Sequence, residues 1–284
     1  MAHSYVQRLS EAVAAVVQAT EESWEYAPPE LAAPVTTVAV GLDGTTLLLC
    51  EEGWREAMVG TVSLYDAEGQ RQHTIHLGAT PEYGRETFLA RLEREIERAR
   101  ERYPGARLVG VADGAECNWR FLARHTDEQV LDFWHACGYL DALTRAMYPR
   151  EQDKRYWYAK LLREQLRDEK EGAGKILETM ALVQKEGTLS KAARKELDAA
   201  ITYFTNHRRR MDYAGVAAKG YPIGSGVTEA ACKTLVKQRL CASGMRWKEK
   251  GAAVILSLRA LVLTPSRWEQ FWGKLDRHGF PAAA

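Results

Sequence analysis

The sequence predicts an α/β fold: a mixed sheet flanked by helices, with an α-helical insertion before the last functional helix. Three observations predict it. Residues 35–77 hold β-branched and apolar runs separated by turn residues, an amphipathic stretch at 87–103 leads into a short apolar run, and residues from about 135 to 211 carry mostly helical spacing.

In chain order, Val6, Leu9, Val13, Val16 and Val17 recur at helical spacing over residues 4–24, and APPELAAP breaks the pattern. Val35 to Leu42 reads as a strand ending at Asp43-Gly44, with Thr45 to Cys50 as its hairpin partner. Glu56 to Tyr65 and Arg71 to Leu77 continue as strands around the turn DAEGQ. Thr87 to Tyr103 sets Phe88, Leu89, Leu92, Ile96 and Ala99 on one helical side and stops at Pro104-Gly105. Arg107 to Ala112 is a short strand ending at Asp113-Gly114-Ala115. A helix over Trp119 to His125, a strand at Gln129 to Asp132 and a long helix from about His135 to Arg167 follow. Residues 169–188 are weakly periodic, Lys191 to Met211 is helical, and PIGSG turns the chain into a helix carrying Glu229. The order divides the chain into an N-terminal helix and linker (1–34), a first core part (35–135), an α-helical insertion (136–215) and a C-terminal core part (216–284).

A chain of 284 residues can bury a substantial core, and 46% hydrophobic with 27% charged residues is ordinary for a soluble globular protein. No apolar run reaches the ~20 residues of a membrane helix, and the N-terminus lacks a basic-then-apolar export signal. The expected location is the cytoplasm. Cys50, Cys117, Cys137, Cys232 and Cys241 are odd in number and never form a C-x-x-C pair, which disfavours a disulfide framework and a zinc ribbon. The net charge is only +1, yet Tyr203 to Lys250 holds ten Lys or Arg against three acids, a segment suited to a polyanion.

Two carboxylates, Asp43 and Asp113, each follow a predicted strand and precede a glycine, and Glu229 sits in a first helical turn after a glycine-rich one. Each has a plainer reading: Asp-Gly is a common turn signal, and a glutamate near a helix N-terminus complements the helix dipole. Brought together, the three would supply hard oxygen ligands for two divalent ions ~3.5–4 Å apart, the arrangement of two-metal phosphoryl transfer. With these carboxylates, the element order is that of a ribonuclease-H-like sheet.

The strings GLDGTTLLLCEEGWREAMVG, VADGAECNW, LDFWHA, YFTNHRRRMDY, PIGSGVTEAACKTLVKQRL, SGMRWKEKGA and RWEQFW lie in order between residues 41 and 272, within a resemblance that covers about residues 5 to 280. In this order they resemble the catalytic region of ISKra-type bacterial insertion-sequence transposases, a ribonuclease-H-like DDE group related to the Mutator and hAT branch. The resemblance implies that Asp43, Asp113 and Glu229 are the catalytic, metal-ligating triad, holding two Mg²⁺ ions for which Mn²⁺ can substitute. It implies DNA cleavage and strand transfer at element ends, with terminal inverted repeats and target DNA as partners. The wider branch is similar in having a Cys or Asp separated by two residues from a His, a pattern that Asp132 and His135 fit. Such a His contacts the scissile phosphate or a flanking nucleotide; the alternative for His135 is a helix-start residue bonded within the core.

Relatives of this kind carry a longer N-terminal region that recognises the element ends, whereas this chain begins about forty residues before Asp43. The expectation is a truncated, split or domesticated form, with a separate N-terminal DNA-binding chain as one partner and a homo-oligomer when DNA ends are synapsed. The cytoplasmic location would then be nucleoid-associated. Lys233 and Lys237 share a helix face with Glu229, and Arg239, Arg246 and Lys248 extend the track, with Arg208 as a more ambiguous DNA contact. Trp247 can stack on a sugar or base, whereas Trp119 and Trp134 read better as core. His73 and His76, three apart on a strand, point to opposite faces and are a poor metal pair. Two other functions fit these residues: a DNA-binding regulator that does not cut, and a structure-selective nuclease.

Overall fold

The β-branched runs of the first half need partners on both faces, because residues 37–42 are buried on both sides of the strand they form. In the computed structural model, which describes residues 3–21, 23–82, 85–186 and 188–279, they form one five-stranded mixed sheet. Its strands are β1 (Thr37–Leu49), β2 (Gly53–Tyr65), β3 (Arg71–Ala79), β4 (Arg107–Ala112) and β5 (Glu128–Leu131), in the order β3-β2-β1-β4-β5. β1, β2 and β3 pair antiparallel, and β4 pairs parallel with β5.

The helices are α1 (His3–Thr20), α2 (Glu86–Arg102), α3 (Glu116–His125), α4 (Phe133–Met147), α5 (Gln152–Asp168), α6 (Gly172–Glu186) and α7 (Lys191–His207). A short α8 (Tyr213–Ala218) precedes α9 (Gly226–Ala231), a π-helical turn over Cys232–Lys237, α10 (Gln238–Leu240), α11 (Glu249–Leu263) and α12 (Arg267–His278). Among the described residues no helix is long and apolar enough to cross a membrane.

Two compact units divide the chain: residues 1–108 with 226–284, and residues 109–225. In the first unit, helices cover both faces of the hairpin. Leu47, Leu49, Ala57 and Val59 form a core with Ala231, Leu235, Val236 and Leu240 and with Ala252, Ile255 and Leu256 of α11. On the opposite face, a Cβ added at Gly60 would meet Phe88 of α2 at 3.1 Å, so glycine lets α2 lie close to β2. A second core joins Val13 and Val17 of α1 to Leu261, Phe271 and Leu275. In the second unit, Cys137, Leu140, Leu143, Leu162, Leu166, Ile176, Met180, Leu197 and Phe204 are the buried faces of α4 to α7.

Three sequence expectations are corrected. Asp43-Gly44 does not turn a hairpin: β1 runs through it, with Asp43 opposite Val59, and the turn falls at residues 50–52 before Gly53. Gly53 has φ +72° and supplies the left-handed conformation, while the Glu56 side chain fills the space where a Cβ on Gly44 would sit, 2.2 Å away. Residues 45–49 therefore extend the same strand. The helix expected from His135 to Arg167 is two helices, broken between Met147 and Gln152 where Pro149 cannot donate to a helical ladder. The weakly periodic residues 169–188 contain helix α6.

His76 gives the first unit a pH-dependent term. Burial, reinforced by Arg71, His73 and Arg267, pulls its pKa down to about 4 from 6.5, and its Nδ1 is buried without a hydrogen-bond partner. The unfolded chain takes up this proton near 6.5 and the folded one only near 4, so stability is full above pH 6.5 and falls as pH drops towards 4. Denaturant unfolding across that window should show the decline, and His76→Gln should flatten it.

Candidate functional site

In the first unit, β1 brings Asp43 under the helical segment that starts at Gly226. Contact between the two is close because Gly41 has no side chain: a Cβ there would lie 2.0 Å from Thr228 Oγ1. The buried hydroxyls of Thr61 and Thr228 share a hydrogen bond of 2.8 Å, fixing α9 over β2 one residue before Glu229. Gly41→Ala is expected to push α9 off the sheet and lower stability by ~1–3 kcal/mol. Adding Thr228→Ala should return part of it, since the methyl then faces Thr228 Cβ at 3.2 Å; denaturation midpoints of both variants check this.

Asp43 Oδ1 accepts from the Gly44 N–H at 2.6 Å, and Oδ2 lies 3.6 Å from the Cys232 thiol, which donates to it. Cys232 sits three residues beyond Glu229 at the start of the π-helical turn. Its thiol is pushed far above the ordinary range by burial first, then by the Asp43 and Glu229 carboxylates, with Lys237 opposing. Two of the three sequence-predicted carboxylates thus act on one group. Asp43 is half-buried and Glu229 is exposed. The thiol stays protonated, so the donors suited to a hard cation here are carboxylate oxygens. Among the described residues no three His, Cys, Asp or Glu side chains gather into a ready-made metal cage.

In the second unit, Asp113 follows the last residue of β4 as the sequence predicts, and Ala115 N–H lies 3.4 Å from its Oδ1. The Tyr203 hydroxyl of α7 donates to the Asp113 carbonyl at 2.7 Å. Burial, with Tyr139, Asp113 and Asp132 adding to it, raises the Tyr203 pKa well above 10, so the phenol remains a donor. Gly114 adopts φ +124°, and a Cβ there would meet the Tyr203 ring at 3.2 Å. Tyr203 stacks on Tyr139 at 4.0 Å and lies 5.7 Å from the exposed His135 ring. His207 is 4.8 Å from Tyr203, and its pKa is lowered by burial first and by Arg210 next.

Asp132 is fully buried beside this turn, its N–H donating to the carbonyl of Ala112, the residue before Asp113, at 2.8 Å. Its carboxylate caps α4 by accepting from His135 N–H at 2.5 Å, and accepts from Ser225 N–H at 2.5 Å and Ser225 Oγ at 2.8 Å. Phe133 N–H donates to the Ile223 carbonyl at 3.0 Å, so the PIGSG turn is pinned to the start of α4. The sequence reading singled out the Asp-x-x-His spacing for His135 and not for a cap, and nothing in the sequence pairs Asp132 with Ser225, 93 residues on.

The predicted DNA contacts divide by their partners. Arg208 pairs with Glu171 at 2.9 Å, and Lys237 donates to the Thr46 carbonyl at 2.5 Å. Lys248 pairs with Glu51 at 3.0 Å, with both side chains mostly exposed, a contact worth little in water. Lys233, Arg239 and Arg246 are exposed. Trp119 is core, under Arg210 at 4.4 Å, whereas Trp134 is 67% exposed, against the expectation that it packs inside. Comparison with known proteins finds no family model that matches this chain and no curated relative.

Proposed function

We propose that the protein is a metal-dependent DNA phosphoryl transferase of the DDE type, cutting a strand at an element end and joining the freed 3′-hydroxyl to target DNA. The observation that carries the reading is the convergence of Asp43 and Glu229 on the Cys232 thiol, two hard-oxygen donors from distant parts of the chain in one neighbourhood. Asp43 and Glu229, both in the first unit, would hold Mg²⁺, their oxygens being the ligands that ion prefers; Asp113 is the third carboxylate that the resemblance implies. When bound, such ions activate the attacking oxygen and stabilise the leaving one.

The chain's own residues have separate tasks. Asp43 is oriented by Gly44 N–H, so one oxygen keeps a fixed direction. His135, exposed at the start of α4 and held by the Asp132 cap, is available to donate to a non-bridging phosphate oxygen. Lys233, Arg239 and Arg246 would follow the phosphate backbone without reading sequence. Water or a 3′-hydroxyl attacks phosphorus in line and releases its proton to solvent, the P–O bond to the leaving oxygen breaks, and that oxygen takes a proton from solvent.

The test is direct. Labelled duplexes ending in candidate inverted repeats, incubated with the protein and Mg²⁺, should acquire nicks leaving 3′-hydroxyls, and then products joined to a target duplex. DNA that is bound but stays intact with both Mg²⁺ and Mn²⁺ would leave a binding protein in place of an enzyme.

A further inference from the structure

Resting on that reading, we propose that a groove between α1 and α11 is a second DNA contact that grips an unpaired strand ~20 Å along β1 from Asp43. Its place follows from the strand. Leu49 pairs with Trp247, whose carbonyl accepts from Cys50 N–H at 2.9 Å, and Leu49 lies six residues beyond Asp43 on the same β1. At ~3.3 Å per residue this is a separate site within the first unit.

The groove encloses about 770 Å³. Ala15 and Val254 contribute an apolar floor, Trp247 a flat aromatic wall, and Arg239, Lys248 and Lys250 the cations. Trp247 also packs against the buried cluster beneath it, which holds the indole in place. The Arg239 guanidinium lies 6.0 Å from its ring centre. Gly251 brings the α11 backbone close: a Cβ there would stand 3.7 Å from the indole.

A fixed indole with cations beside it is a platform for a base and its flanking phosphates. From residue 226 to 250 the chain holds six Lys or Arg against Glu229 and Glu249, so the local charge favours a polyanion. Glu11 faces the groove from α1, and Lys248 is paired with Glu51 at 3.0 Å, an exposed bridge that a phosphate can replace. A duplex keeps its base faces stacked inside, so only an unpaired nucleotide can offer one to Trp247. The distance to Asp43 corresponds to about six stacked nucleotides at ~3.4 Å each.

Binding of the whole chain is measured in EDTA, where no cutting occurs, by anisotropy of labelled duplexes that are blunt or carry a single-stranded 3′ extension of about six nucleotides. The extension should tighten binding roughly tenfold or more and quench tryptophan fluorescence. Trp247→Ala should erase that gain and Trp247→Phe should keep most of it. Lys250→Glu, at an exposed position, should erase it without touching the core beneath Trp247. The inference is overturned if the extension gives no gain, if both Trp247→Ala and Lys250→Glu bind it like the wild type, or if an acidic amphipathic peptide displaces it. Nicking of blunt DNA without any preference for the extension would overturn the groove alone. Extension binding that depends on Trp247, in a protein that never cuts, would retain the groove and overturn the enzyme.

Discussion

Asp43→Asn and Glu229→Gln are each expected to lower Mg²⁺-dependent nicking by a factor of roughly 10³ or more while leaving DNA affinity within about threefold. Each change swaps a carboxylate oxygen for an amide of nearly the same shape, so packing survives and only the charge and one hard ligand are lost. Losing several kcal/mol of transition-state stabilisation gives that factor, at ~1.4 kcal/mol per tenfold. Affinity should hold, because removing an anion beside the substrate does not weaken phosphate contacts made by Lys233, Arg239 and Arg246. Nicking rates and anisotropy on the same preparations separate the two effects. If both variants cut at the wild-type rate, the proposed chemistry is wrong; if affinity falls with activity, these carboxylates shape a surface and do not act on the phosphate.

Asp132→Ala should be the most damaging single change to stability, about 3–5 kcal/mol. The carboxylate is wholly buried and accepts from Ser225 N–H, Ser225 Oγ and His135 N–H. Alanine strands the two buried Ser225 donors away from water and uncaps α4 at the half-buried His135 N–H; an orphaned buried donor costs ~1–3 kcal/mol and a lost cap about 1 more. Asp132→Asn is a sharper probe, since its amide N–H would face donors where an acceptor is needed. A fall in the urea midpoint at unchanged slope would show lost stability with the same surface exposed on unfolding. A midpoint that barely moves would mean that water reaches these donors and that the carboxylate clamps nothing.

The sequence made the α/β class, the strand that leads to Asp113 and the helix that carries Glu229 legible, because hydrophobic period and turn residues are local signals. Asp43 was legible as a residue but not in its setting. Asp-Gly reads as a turn by itself, and only Glu56, opposite Thr46 on β2, explains why Gly44 stays extended. Pro149 was in plain view, yet helical spacing continues on both sides of it and masks the break. Cys232 carried no signal, since its meaning comes from two carboxylates, one of them 189 residues away. Tyr203 and Ser225 were silent for the same reason: each is informative only through a partner that folding supplies.

The π-helical turn over Cys232–Lys237 bears on how this segment tolerates change. Upstream, Gly41 and the Thr61–Thr228 pair dictate the rotation of α9; within the turn Leu235 and Val236, and beyond it Leu240, must enter the core beneath α11. A uniform α-helix advances ~100° per residue and cannot in general satisfy two such fixed anchors, so one surplus residue is absorbed where the winding loosens. The wide turn is a splice between two independently keyed pieces of screw thread. Excising a single residue there would restore regular winding and swing one piece out of key, whereas the same excision from an exposed loop would leave both seated.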